Sequence, residues 1–168
     1  VAVLSLGEIV SSNSLKVAGD TLDKDILKFV KEEKKLLIGD RTAEDIKKRV
    51  GTAWKGSRHD AIEVSGRDLV TGLPHTITLT SEQIEESMRE SLQEIVRACK
   101  TVLEQTPPEL ASDIVTRGIV LTGGGALLHG IDELLRNELH IPVYVADNAL
   151  RCVAEGTGVM LENLHLVE

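Results

Sequence analysis

Between Gly118 and Ala146 the chain runs through an order of residue types that few architectures accommodate. Gly118-Ile119-Val120-Leu121 is a short continuous apolar run, as expected of a buried parallel strand. Thr122-Gly123-Gly124-Gly125 follows it directly. Ala126-Leu127-Leu128 and Ile131 to Leu135 read as helix, and Pro142 to Ala146 as the next strand. This is a βαβ unit with its glycines at the strand-to-helix turn, which assigns this part of the chain to an α/β layer. Consecutive glycines there let backbone pass close to a ligand with no Cβ in the way. They also leave free N–H groups and a positive helix end to face it. The same glycines suit a tight turn that merely needs positive φ, and both readings stand on the tripeptide alone. The stretch is not a P-loop, because no Gly-Lys-Ser/Thr follows, and it lacks the G-x-G-x-x-G spacing of a dinucleotide fingerprint.

The rest of the chain is punctuated as clearly. Val1 to Leu6 and Ile9 to Val17 are β-type runs around Gly7-Glu8, a hairpin signal with a two-residue loop. Helical spacing begins at Thr21, with Leu22, Ile26, Phe29 and Val30 on one face, and ends near Lys35. Asp20 reads as its N-cap. Thr42 reads as the N-cap of a second helix that Gly51 stops. Thr52 to His59 reads as loop, without a recognisable motif. Ala61 to Ser65 and Thr76 to Thr80 alternate like strands, joined by a long turn over Gly66 to Pro74. Thr80 with Gln83 forms a capping box ahead of a long amphipathic helix carrying Ile84, Met88, Leu92, Val96, Cys99 and Val102. Pro107-Pro108 ends it, and Pro108 opens another turn. A final helix is expected from Ala149 to Leu164. Residues 1–19 and 85–168 thus form one α/β layer, with 20–84 inserted between its second strand and the long helix.

Composition excludes several function classes. Of 168 residues 42% are apolar, enough for a sizeable core, and no apolar run reaches the length of a membrane helix. A net charge of −8 and only three aromatics (Phe29, Trp54, Tyr144) argue against nucleic acid, which needs clustered cations and stacking surfaces. Cys99 and Cys152 have no metal-ligand spacing. Together with a start that lacks a secretory pattern they read as small buried residues in a reducing cytosol. The five histidines His59, His75, His129, His140 and His165 have no metal spacing either. No catalytic constellation is present. The chain opens without an initiator Met and already in a β-type pattern, which reads as a piece of a longer protein.

Glu44 and Lys47 are three apart and share one helix face. A carboxylate there can accept hydrogen bonds from ribose hydroxyls, and a Lys stem can cover an adenine face. A surface ion pair is the other reading of that spacing.

Three segments resemble the MreB family of bacterial actin-like proteins, in the same order and at similar spacing. They are Ile38-Gly39-Asp40-Arg41-Thr42-Ala43-Glu44-Asp45-Ile46-Lys47, Gly66-Arg67-Asp68-Leu69-Val70-Thr71-Gly72-Leu73-Pro74, and Thr106 to Leu110 running on through Arg117 to Leu128. The start at Val1 to Val10 and the closing Gly156-Thr157-Gly158-Val159-Met160-Leu161 are closer to the Mbl branch.

The resemblance implies an α/β fold, the second lobe of an actin/Hsp70-type ATPase. A ribonuclease H-like layer, IIA, would comprise 1–19 and 85–168, and a smaller α+β subdomain, IIB, would be 20–84. It implies ATP with Mg2+ in the cleft toward a first lobe, with Glu44, Asp45, Ile46 and Lys47 on the adenosine-contacting helix. Gly123, Gly124, Gly125, Ala126 and Leu127 would border ribose, adenine and phosphate, and Gly19 would lie near the nucleotide. The whole protein would form cytoplasmic filaments that touch the membrane through the other lobe. It would work with MreC, MreD and RodZ and set rod shape by organising lateral cell-wall synthesis. A chaperone or sugar-kinase-like lobe of the same superfamily would share the glycine turn, but fits Arg41 to Lys47 and Gly66 to Pro74 poorly. This piece alone is not expected to hydrolyse ATP.

Overall fold

The computed structural model describes residues 1–163. It opens with an antiparallel hairpin of β1 (Ala2–Ser5) and β2 (Glu8–Ser12). The two-residue loop is Leu6-Gly7 and not Gly7-Glu8. Both loop residues have positive φ, 52° and 85°, as a type I′ hairpin turn requires. β2 stops at Ser12, well short of Val17, where Ser11 to Ser14 offers little β propensity. α1 (Gly19–Glu33) begins two residues earlier than its apolar period suggests. Its N-cap is Ala18 and not Asp20, which lies in the first turn, where its charge suits the helix dipole. Likewise α2 (Asp40–Val50) starts behind Gly39 and not at Thr42.

Between them β3 (Leu36–Leu37) pairs with β4 (Ala61–Asp68), which pairs in turn with β5 (Pro74–Thr80). The turn expected over Gly66 to Pro74 is therefore shorter. Leu36 and Leu37 pair with Asp68 and Arg67 and draw these residues into β4. Gly66 is required there, because a Cβ would run into the Leu37 carbonyl oxygen.

Thr80 caps α3 (Ser81–Glu104) as the capping box predicts. The Gln83 N–H donates to Thr80 Oγ1 at 3.4 Å, and the Thr80 N–H donates to Gln83 Oε1 at 3.1 Å. α4 (Pro108–Arg117) follows with Pro at its start. β6 (Ile119–Leu121) and β7 (Val143–Val145) pair in parallel, in register Ile119 to Val143. α5 (Ile131–Leu139) crosses between them, completing the βαβ unit. α6 (Cys152–Glu162) starts later than the expected Ala149, and its expected end at Leu164 lies outside the described residues. No helix among the described residues is long and apolar enough to cross a membrane.

One continuous core joins residues from α1 to α5 and β7. Leu22, Ile26 and Val30 of α1 meet Ala43, Ile46 and Val50 of α2, the β4 and β5 residues Ile62, Val64 and Leu79, and Ile84, Met88 and Leu92 of α3. α3 continues the same core through Val96 to Leu134 and Leu135 of α5 and to Val143. The fully buried β6 strand expected from its apolar run is not what forms. Ile119 and Leu121 pack against the core, but Val120 is 62% exposed on the other side of the sheet. The open edges of β1 and β6 flank a groove of about 550 Å³ floored by Val102, Leu103 and Ile114.

Candidate functional site

Two of the predicted site segments meet where α1 starts. Lys47 Nζ donates to the Gly19 carbonyl at 3.2 Å and lies 2.8 Å from Asp23 Oδ1. Both side chains are largely enclosed, 14% and 16% exposed. Glu44 does not pair with Lys47. It accepts from Lys48 Nζ at 2.6 Å, one turn on, with both groups in solvent. That hydrogen bond first, and the opposite charge of the partner second, hold the Glu44 carboxyl below its ordinary range and raise Lys48 above its own. Asp45 pairs outward with Arg49 at 3.6 Å, and Ile46 is wholly buried in the core. Thus Glu44 and Asp45 present carboxylates to solvent, Ile46 anchors the helix, and Lys47 is turned onto α1. Arg41, Thr42, Glu44, Asp45 and Lys48 line a shallow hollow on the solvent side of α2. Asp23 was not singled out by the sequence, although its spacing of four from Gly19 puts the two on one face of α1.

The glycine turn divides the work among its residues. Gly123 has φ +82° and its N–H donates to the Ala149 carbonyl at 2.7 Å, so the backbone itself needs glycine there. Gly124 and Gly125 are exposed and free of positive φ. A Cβ at Gly125 would meet nothing within 4 Å, and one at Gly124 only Leu150 Cδ2 at 3.4 Å. Their N–H groups donate to no protein acceptor among the described residues. Neither conformation nor crowding within the chain explains glycine at these two positions. What it leaves is open backbone that an outside group can approach closely. Ala126 is buried and Leu127 is 56% exposed.

The expected helix directly after the glycines is a single 3₁₀ turn, Gly124–Leu127. α5 starts only at Ile131, behind Gly130 in the left-handed region. The positive end of α5 therefore does not lie at the glycines, because such fields fade within one turn.

No hydrogen bond or ion pair among the described residues joins the glycine turn directly to α2. They are linked through the 51–60 loop, which the sequence left without a role. Thr52 is 1% exposed, and its Oγ1 lies 3.1 Å from His129 Nδ1 and 2.7 Å from Ser57 Oγ. The Ala53 N–H donates to the His129 carbonyl at 2.8 Å. Arg58 caps the end of α2, donating to the carbonyls of Gly51 at 3.2 Å and Lys48 at 3.4 Å, and to that of Arg49. A cation on those carbonyls complements the negative helix end.

The MreB/Mbl protein family profile matches residues 1–168. The chain belongs to the MreB/Mbl family. Among curated MreB/Mbl relatives, the cell shape-determining protein Mbl of Bacillus cereus is 58% identical over 164 residues, 98% of this chain and 49% of that protein. The cell shape-determining protein MreB of Escherichia coli is 49% identical over 166 residues, 99% of this chain and 48% of its own length. Among solved structures, MreB5 of Spiroplasma citri bound to ADP superposes with a TM-score of 0.91 at 39% identity, covering 97% of this chain and 50% of that one. The fold of this MreB/Mbl chain is accordingly the actin-like α/β fold. The chain spans about half the length of the relatives it matches.

Proposed function

We propose that this chain is the second lobe of an ATP-binding, filament-forming actin homologue that determines rod cell shape by organising lateral cell-wall synthesis. The observation that carries the nucleotide half of this reading is the bare backbone at Gly124 and Gly125, which neither φ nor packing explains. Two unengaged N–H groups suit phosphate or ribose oxygens, and the exposed Glu44 carboxylate suits ribose hydroxyls. Lys47 acts through its hold on Gly19 and α1, so its contribution is to place that backbone. The ADP-bound relative and the names of the Mbl and MreB relatives support the reading.

Within it, 1–19 and 85–168 are subdomain IIA and 20–84 is IIB. Mg2+ accompanies the nucleotide phosphates. An extended segment of the rest of the protein seats between the open edges of β1 and β6. The partners are further copies in a filament and the wall-elongation proteins MreC, MreD and RodZ. The filaments are cytoplasmic and reach the membrane through the other lobe.

The experiment is sedimentation of the full-length protein with and without ATP. Pelleting that requires ATP is expected. Protein that never pellets across nucleotide and salt conditions, yet phosphorylates a small substrate, would overturn the proposal.

A further inference from the structure

The loop after α2 and the turn before α5 are 77 residues apart at Thr52 and His129, yet they interlock through one chain of hydrogen bonds. Ser57 Oγ donates to the Trp54 carbonyl at 2.7 Å, and the His129 carbonyl already accepts from the Ala53 N–H at 2.8 Å. Thr52 Oγ1 lies 2.7 Å from Ser57 Oγ, its shortest contact, and 3.3 Å from the carbonyl oxygens of both Trp54 and His129. Thr52 Oγ1 also accepts from the Trp54 N–H at 3.4 Å and is hydrogen-bonded to His129 Nδ1 at 3.1 Å.

Shape reinforces the bonds. Gly130, at φ +76°, brings its backbone against the loop so closely that a Cβ would meet Thr52 Oγ1 at 2.9 Å and the Trp54 nitrogen at 3.0 Å. On the other side Arg58 fastens the same loop to the last carbonyls of α2. One continuous path therefore runs from Glu44 along α2, through Gly51 and Thr52, across to His129. It reaches Leu127 two residues before that histidine.

We infer that Thr52, Ser57 and His129 form a clasp that sets the position of α2 against the glycine turn, so that Glu44 and the Gly124-Gly125 backbone present themselves to one nucleotide in a fixed relation. The three are positioning residues and touch no ligand. The inference rests on the nucleotide reading above. Without the clasp the two segments must be brought into relation at the cost of binding energy, and affinity falls by the fraction of molecules already in position.

The test uses the full-length protein and equilibrium binding of a fluorescent ATP analogue, with urea unfolding alongside. His129 is exposed, so His129→Ala is expected to leave the fold intact. Its affinity is expected to fall about fivefold with an unchanged urea midpoint. Thr52→Val is expected to weaken binding about tenfold, and Thr52→Ser, which keeps the hydroxyl, to restore it to within about twofold of the parent. If Thr52→Val fails to fold, His129→Ala decides alone. Parental affinity in His129→Ala, or in a folded Thr52→Val, overturns the clasp while Gly124→Val still abolishes binding. Parental affinity in Gly124→Val as well overturns both the clasp and the nucleotide reading.

Discussion

Asp23 and Lys47 face each other at 2.8 Å across the seam between α1 and α2. Asp23 Oδ1 is buried and takes no hydrogen bond, so Lys47 holds it by charge alone while giving its hydrogen bond to the Gly19 carbonyl. Lys47→Met removes the direct ion pair of a largely enclosed carboxylate, and is expected to cost about 2–3 kcal/mol in urea unfolding. Adding Asp23→Asn to Lys47→Met should recover part of that loss, because the uncompensated charge is then gone. A single variant as stable as the parent would show the pair to be solvent-screened.

Gly66 offers a sharper test of the sheet. It sits in β4 where β3 crosses closest, and a Cβ there would strike the Leu37 carbonyl oxygen and approach Leu36 Cγ and Ile38 Cγ2 at 3.0 Å each. Gly66→Ala is expected to destabilise by about 2 kcal/mol, since backbone must shift to admit one methyl. Gly72, in the neighbouring turn, has open space around it but φ +74°. Gly72→Ala should therefore cost only about 1 kcal/mol, from conformational strain without collision. Equal losses at the two positions would contradict the close crossing of β3.

The hairpin turn between β4 and β5 carries a pH signature. The Val70 and Thr71 N–H groups donate to Asp68 Oδ1 at 2.7 and 3.0 Å. The bond from Thr71 first, and that from Val70 second, hold the Asp68 carboxyl below its ordinary value of 3.8. A folded-state value below the unfolded one means stability that is present above the ordinary value and lost as pH falls through the depressed one. Asp68→Asn should thus be less stable than the parent at pH 7, and the gap should close progressively below about pH 4. Urea unfolding of both proteins at several pH values measures it, and a gap independent of pH would rule out the carboxylate.

Local signals in the sequence translated into structure more faithfully than distant ones. Thr80 and Gln83 mark the start of α3 because both halves of a capping box lie within four residues. The apolar period from Ile84 to Val102 fixes its buried face for the same reason. Boundaries moved where a partner far along the chain decided them. β4 reaches Asp68 because β3 pairs with it, and Val120 is exposed because no helix among the described residues covers its side of a two-stranded sheet. Leu6 is apolar and looks like strand, yet the hairpin needs positive φ there, and its side chain is left in solvent. At the site, the glycines and Glu44 were legible as residue types. The choice of Asp23 for Lys47 and the meeting of Thr52 with His129 were not, because neither has a signature shorter than the fold itself.

The central claim is that Gly124 and Gly125 are bare because a nucleotide lies against them. Gly124 has no positive φ, and its Cβ would make only an ordinary contact with Leu150, so Gly124→Val should fold as the parent does. The deciding measurement is the ATP affinity of that variant in the full-length protein, with its urea midpoint checked in parallel. Binding weakened at least about a hundredfold at an unchanged midpoint is expected, because a branched side chain occupies ligand space. A folded Gly124→Val that binds ATP with parental affinity would contradict it.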